Sequence, residues 1–298
     1  MTKEDILTRA MTRDGNARII IVNSTNTVNC AISRHGLTPT SAAALGRVLT
    51  AASMMGSLLK NKDDSLTITF NGDGVCGKVL ACSDYMGNTR GFIANPSADL
   101  PKNKLGKLDV SGAVGKNGTM YVIRDTGEKE PYIGFSPIVS GEIAEDITNY
   151  FAKSEQIPTV CGLGVLIDTD YSCKAAGGFL IQLLPGADES FVSLLEQKMA
   201  LLYSVSSLFS DGLSNEDILK KLLAGIEFDI FDELLVSYKC DCSRERTDNA
   251  LKLLGKKELS DMQKDETSEL SCRFCGKKYI YTKDDIKNLI ESIEKNDK

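Results

Sequence analysis

Two cysteine pairs constrain this chain more than anything else in it. Cys240-Asp241-Cys242 and Cys272-Arg273-Phe274-Cys275 stand 29 residues apart near the C-terminus. Four thiols so placed can close into a tetrahedron around one soft divalent cation, and Zn²⁺ takes such a set at Zn–S distances of about 2.3 Å. Gly276 can adopt the positive φ that turns backbone N–H groups toward the thiolates. The single histidine, His35, lies far off in sequence, so an all-thiolate site is the economical reading. The expectation is one Zn²⁺ per chain held by Cys240, Cys242, Cys272 and Cys275. The segment around them has few large apolar residues, and metal ligation would supply its folding energy, roughly 10–16 kcal/mol for a structural zinc site.

The C-x-C half is unusual, since most zinc ribbons put two residues between ligands. In an extended chain its two Cα atoms would lie about 7 Å apart, at the edge of disulfide geometry, so a bond there is strained and easily reduced again. A bond from Cys272 to Cys275 would be ordinary. Oxidation of such a cluster consumes the ligands, releases the metal and removes the energy that folds the segment. A purely structural zinc ribbon remains an alternative on these residues alone.

The rest of the composition narrows the setting. At 298 residues, the chain is long enough for two domains or for one with a substantial appendage. Its 42% hydrophobic and 26% charged residues are those of a soluble globular protein. No apolar run approaches the roughly 20 residues of a membrane helix, and MTKEDILTRA lacks the apolar core of a secretory signal. The expected compartment is the cytoplasm, where nine cysteines are free thiols or metal ligands before they are structural disulfides. A net charge of −6 opposes sequence-independent nucleic-acid binding, which needs clustered cations. From Cys240 to the end, 13 Lys+Arg balance 13 Asp+Glu, so no basic patch hides there.

Patterning divides the chain in three. Residues 1–185 read as a mixed α/β (α+β) core, with strands at Ala17 to Val22, Ser65 to Phe70 and Met120 to Arg124. A helix over Thr40 to Lys60 and a meander over Ser65 to Phe92 complete that reading. Residues 186–236 read as a helical linker: Phe191, Leu195, Met199, Leu202, Val205 and Phe209 share one face, Asp211-Gly212 interrupts, and Ser214 with Asp217 spells a capping box before Ile218, Leu219, Leu222, Leu223 and Ile226. Short amphipathic helices need something to pack on, so the linker is expected to be docked on something apolar. Residues 237–298 form the small zinc-binding part. It should hold helices near Glu245 to Leu254 and Lys257 to Lys264, a strand at Lys277 to Tyr281, and a last helix capped by Thr282 and Asp285.

Several motifs point elsewhere and carry little. Gly72-Asp73-Gly74-Val75-Cys76-Gly77 spells G-x-G-x-x-G, but a strand rather than a helix follows, which suits a turn and not a dinucleotide site. Gly177-Gly178 before an apolar strand reads as close backbone packing. His35 has no obvious catalytic partner. Cys30, Cys76, Cys82, Cys161 and Cys173 read as buried or inert.

Cys240-Asp241-Cys242-Ser243-Arg244 with Cys272-Arg273-Phe274-Cys275-Gly276 resembles the C-terminal signature of the heat shock protein 33 family, bacterial redox-regulated holdase chaperones. The resemblance extends along the chain: Ala44-Leu45-Gly46-Arg47, then Gly141-Glu142-Ile143-Ala144-Glu145-Asp146, Tyr150-Phe151, Ser154-Glu155-Gln156, Ala175-Ala176-Gly177-Gly178-Phe179 and Gln182-Leu183-Leu184-Pro185 match in order. It implies that the helical linker of residues 186–236 is metastable and that the reduced form is zinc-bound and inactive. On oxidation, the resemblance implies disulfides Cys240–Cys242 and Cys272–Cys275, zinc release, unfolding of the redox part and linker, and capture of unfolding client proteins, often as a homodimer, without ATP. No enzyme activity, nucleic acid or membrane enters this picture. The rival classes are a thiol-disulfide oxidoreductase using Cys272 and Cys275, which normally sets C-x-x-C at a helix start, and a zinc-ribbon nucleic-acid binder, which the charge balance disfavours.

Overall fold

Alternating burial along the first strands sets up the core. In the computed structural model, which describes residues 4–200 and 204–296, β1 (Asp5–Thr12) and β2 (Ala17–Asn23) form an antiparallel hairpin. Helices α1 (Thr25–His35) and α2 (Pro39–Gly56) follow. Then β3 (Ser65–Asn71), β4 (Val79–Asp84) and β5 (Thr89–Ile93) make the expected meander. The short α3 (Val110–Val114), β6 (Thr119–Asp125) and β7 (Tyr132–Pro137) lead to α4 (Ala144–Tyr150), which runs into a π-turn at Phe151–Glu155. Strands β8 (Thr159–Ile167) and β9 (Cys173–Leu183) close this part.

Two antiparallel five-stranded sheets result. One has the order β5-β4-β3-β6-β7, and the other, sheet A, contains β1, β2, β9 and β8 with a further strand at its edge. Nearly every residue of α2 is buried, and it packs against strands of both sheets. A helix apolar all round belongs in such an interior. It ends at Gly56, four residues short of the helix expected from sequence.

Sheet A is covered on its second face as well. Along β2, Ile20 and Val22 join the α2 side, while Ala17, Ile19 and Ile21 face a separate apolar cluster. That cluster is completed by α5 (Glu189–Ala200), α6 (Val205–Ser210) and α7 (Asn215–Leu222). Phe191, Leu195, Met199, Val205 and Phe209 all enter it, with Ile218, Leu219, Leu222 and Leu223. Leu202, read into the same face, lies outside the described residues. The capping box is present, with Ser214 Oγ accepting from the Asp217 amide at 3.1 Å. Two glycines let α6 lie close on the sheet. A Cβ on Gly164 would stand 2.3 Å from the Ser206 amide nitrogen, and one on Gly177 would stand 2.5 Å from the Phe209 ring. The Gly177-Gly178 pair, which lies within β9 and not before it, therefore serves close approach, Gly177 to the Phe209 ring and Gly178 to the Gly162 carbonyl.

The helical reading of 186–236 fails at its end. Phe228–Val236 is a strand, β10, paired antiparallel with β1 from Thr12↔Phe228 to Asp5↔Val236. It forms the edge of sheet A. Arg9 donates to Asp232 from Nε at 2.8 Å, and Arg13 reaches Asp229 at 2.9 Å and Glu227 at 3.1 Å. These ion pairs are cross-strand contacts that add to a segment whose Phe, Ile and Val residues already favour a strand.

Past β10 the chain is stapled to the start of β5. The Thr89 amide donates to Ser237 O at 2.9 Å and the Lys239 amide to Thr89 O at 2.8 Å. Between them Tyr238, 8% exposed, donates its hydroxyl to Gly91 O at 2.8 Å and sits 3.1 Å from His35 Nε2. Sequence left His35 without a role; here it braces the last turn of chain before Cys240.

The chain divides into two units, Met1–Lys239 and Cys240–Lys298. The second contains α8 (Arg244–Lys252), α9 (Gly255–Met262), β11 (Thr267–Ser271), β12 (Lys278–Thr282) and α10 (Lys283–Asn296). Its apolar core is small: Leu251, Leu259, Tyr279, Tyr281, Ile286 and Leu289. Thr282 and Asp285 cap α10 reciprocally, at 3.2 Å and 2.9 Å. The G-x-G-x-x-G segment is a turn between β3 and β4; Cβ atoms on Gly72 and Gly74 would strike the Val114 and Ala113 carbonyls of α3 at 2.2 Å.

Candidate metal centre

Local structure brings the two cysteine pairs together. Strands β11 and β12 form a hairpin, with Ser271 opposite Lys278, so Cys272 to Lys277 is its tip. The Cys272 amide donates to Lys277 O at 2.9 Å and the Gly276 amide to Cys272 O at 2.8 Å, with Gly276 at φ 72°. The other pair precedes α8, whose N-cap Ser243 accepts from the Arg246 amide at 3.2 Å. Arg246 also pairs with Asp241, which fixes the residue between the two thiols.

All four Sγ atoms lie within 4.8 Å of one another. Cys240 and Cys272 Sγ are 3.7 Å apart, and Cys242 and Cys275 Sγ 3.4 Å. A regular tetrahedron with bonds of about 2.3 Å has edges of about 3.8 Å. The two short edges therefore suit a tetrahedral metal site, and the four cysteines are placed to hold a metal ion. Each thiol is half-buried, which leaves the cluster within reach of small oxidants.

The thiols differ in acidity. Burial raises Cys242, but the Tyr279 hydroxyl, donating at 3.1 Å, and the neighbouring thiols outweigh it and bring this thiol down to about 7. Burial, with the same neighbours, pushes Cys240 and Cys275 up. Thiols this close titrate as one coupled set, and a cation is needed to stabilise several thiolates together. Around this centre Arg244 stacks 3.8 Å over the Tyr281 ring and pairs with Asp285 at 3.1 Å, while Tyr281 donates to Asp248 at 2.7 Å. Sequence reasoning passed over Tyr279 and Tyr281; their alternation along β12 was the available signal.

The hairpin tip is not a helix start, so Cys272 and Cys275 lack the dipole that activates dithiols in thioredoxin-like units. The remaining cysteines stand apart from this cluster. Burial pushes Cys76 up to about 11, and Cys161 and Cys173 to about 12, as suits inert thiols. Half-buried Cys30 takes a contact from Arg34 Nε at 3.1 Å, and half-buried Cys82 lies 3.3 Å from Thr67 Oγ1. Among the described residues no helix is long and apolar enough to cross a membrane.

Comparison with known proteins agrees along nearly the full length. The family model described as Hsp33 protein matches residues 5–282. A 33 kDa chaperonin of Clostridium acetobutylicum is 46% identical over 294 residues, covering 98% of this chain and 99% of that protein. One from Clostridium botulinum (strain 657 / Type Ba4) is 44% identical over 290 residues, with 97% and 98% covered. Among solved structures, the 33 kDa chaperonin (heat shock protein 33 homolog) of Thermotoga maritima superposes with a TM-score of 0.89 at 35% identity, covering 99% of each chain.

Proposed function

The chain belongs to the heat shock protein 33 family, and from that premise we propose that it is a redox-regulated, ATP-independent holdase whose switch is the Cys240, Cys242, Cys272, Cys275 cluster. The family's work is to bind unfolding proteins, not to turn over a substrate. The observation that carries the redox reading is the convergence of four half-buried sulfurs within 4.8 Å in a unit whose core, among the described residues, holds six buried hydrophobic side chains. Units of this size rarely sustain themselves on so small a core without a metal or cross-link.

When bound, Zn²⁺ would stabilise the thiolates and tie the hairpin tip to the segment before α8. Oxidation removes the ligands pairwise. One thiolate sulfur attacks a peroxide oxygen, the O–O bond breaks, and a sulfenic acid and hydroxide form. The neighbouring thiol then attacks the sulfenic sulfur and displaces its oxygen as water to give the disulfide, so each pair, one thiolate and one thiol, consumes one peroxide and releases one hydroxide and one water. We assign the bonds as Cys240–Cys242 and Cys272–Cys275, since short loops close at least entropic cost. With its ligands gone, the redox unit loses its main stabilising term.

The consequence for client binding lies in residues 186–236. The faces of α5, α6 and α7 rest on sheet A in a cluster of their own, separate from the α2 core. Releasing them uncovers Ile19, Ile21, Phe179 and Ile181 along with the helices' own side chains. An apolar surface of several hundred Å² captures unfolding chains without reading sequence. We place this activity in the cytoplasm and the oxidised form as a homodimer. The neutral charge of the C-terminal unit offers nothing to nucleic acid.

The test is zinc content together with suppression of client aggregation, compared between reduced and peroxide-treated protein. One zinc per chain with no suppression, changing to zinc loss with suppression, is expected. Stoichiometric zinc in a Cys240→Ser, Cys272→Ser double variant would remove the ligand assignment.

A further inference from the structure

A second site lies in Met1–Lys239, remote in sequence from the cysteines. A cavity of about 510 Å³ opens where the end of α2 meets both sheets. Met55, Leu66 and Phe151, each 2% exposed, form its apolar floor, with Leu58, Leu59 and Ile157 beside them. This is the size and character of pockets that hold small molecules.

One wall carries Arg18 of β2. Its Nε donates to Gln182 Oε1 at 2.8 Å, across the β2–β9 pairing. Gln182 is 1% exposed and is itself held, Nε2 donating to Thr159 Oγ1 at 3.1 Å, which donates to Ile157 O at 2.9 Å. The guanidinium is thus oriented through Nε, and its two terminal nitrogens are left for another partner. Among the described residues no carboxylate pairs with it. Burial holds it below the ordinary arginine value, with no acid near enough to offset that.

The other charges at the cavity are otherwise engaged or exposed. Arg124 pairs with Glu155. Asp64 turns back to accept from the Asn61 amide at 3.0 Å. Lys60 and Glu128 are exposed at the surface. The half-buried guanidinium is held by one bond with its terminal N–H groups open at the cavity, and a planar carboxylate matches the fork that remains.

We propose that this cavity binds a small amphipathic carboxylate, its head on the Arg18 fork and its apolar body along Met55, Leu66 and Phe151. The site is independent of the cysteine cluster, so redox state and zinc content should not be required for it. A medium-chain fatty acid such as decanoate, below its micellar concentration, is the probe, with decan-1-ol as its neutral counterpart.

Titration of full-length reduced protein by calorimetry should show saturable 1:1 binding of the acid and much weaker binding of the alcohol. Arg18→Gln should weaken the acid at least about tenfold and leave the alcohol unchanged, as expected for loss of a charge-assisted pair. Arg18→Lys, which keeps the charge and drops the fork, should fall between, and it serves if the glutamine variant does not fold. Leu59→Glu should weaken both ligands. The proposal is overturned by absence of saturable binding, by equal affinity for acid and alcohol, or by acid binding that survives Arg18→Gln.

Discussion

The hydroxyl of Tyr279 donates to Sγ of Cys242 at 3.1 Å, linking β12 directly to the C-x-C half of the cluster. A donated hydrogen bond stabilises a thiolate and dulls it as a nucleophile. Tyr279→Phe removes the donor and keeps the ring in its core. Peroxide-driven zinc release, followed with a chromogenic indicator, should then be several-fold faster. An unchanged rate would mean that the hydroxyl has no hold on the sulfur.

Gly164 is the seat of α6, with the Ser206 amide where a Cβ would be. Gly164→Val should lift α6 from sheet A while leaving all four cysteines intact. Overpacking of this kind costs about 1–3 kcal/mol. The expected outcome is a reduced, zinc-loaded protein that suppresses aggregation without oxidant. A quiet variant with wild-type melting temperature would separate α6 from the latch.

Truncation separates the linker from its clamp. A chain ending at residue 239 keeps Tyr238 on Gly91 and His35, whereas one ending at 236 loses that clamp together with the redox unit. The shorter chain should hold a heat-denatured client without oxidant, and more strongly than the longer one. If both are inert, and remain so under peroxide, the C-terminal unit is not an inhibitory lock.

Acid should loosen β10 before the rest of sheet A. The hydrogen bonds from Arg9 hold Asp232 below its ordinary value of 3.8, against a smaller opposing effect of burial. A depressed folded value means the stabilisation is present above about pH 4 and is lost as pH falls through the folded value. The pair is more than a third exposed, so the effect is at most about 1 kcal/mol. Amide exchange in β10 should quicken relative to β9 as pH falls below about 4, and Asp232→Asn should abolish that difference. Equal acceleration in the asparagine variant would rule the pair out.

Some of this molecule was legible in one dimension. Two cysteine pairs, a glycine at the hairpin tip and a capping box at Ser214 are local signals, because ligand spacing and helix capping act over a few residues. The apolar stripe through Phe191, Leu195 and Phe209 was legible for the same reason: helical periodicity is written in the sequence whatever the helix covers. What it covers was not. Tertiary structure decided that the stripe lies on the back of sheet A, since Ile19 and Ile21 show no partner until the sheet forms. It also decided that Phe228–Val236 is a strand. Its Phe, Ile and Val residues suit a strand while its apolar spacing also suits a continued helix. Pairing with β1, where Arg9 and Arg13 more than two hundred residues earlier meet its acids, decides between them. The same holds for Tyr238 on His35, for Tyr279 on Cys242 and for the Arg18 fork. Each joins groups distant in sequence, and such pairings have no energy until the chain has folded to bring them within a few ångströms.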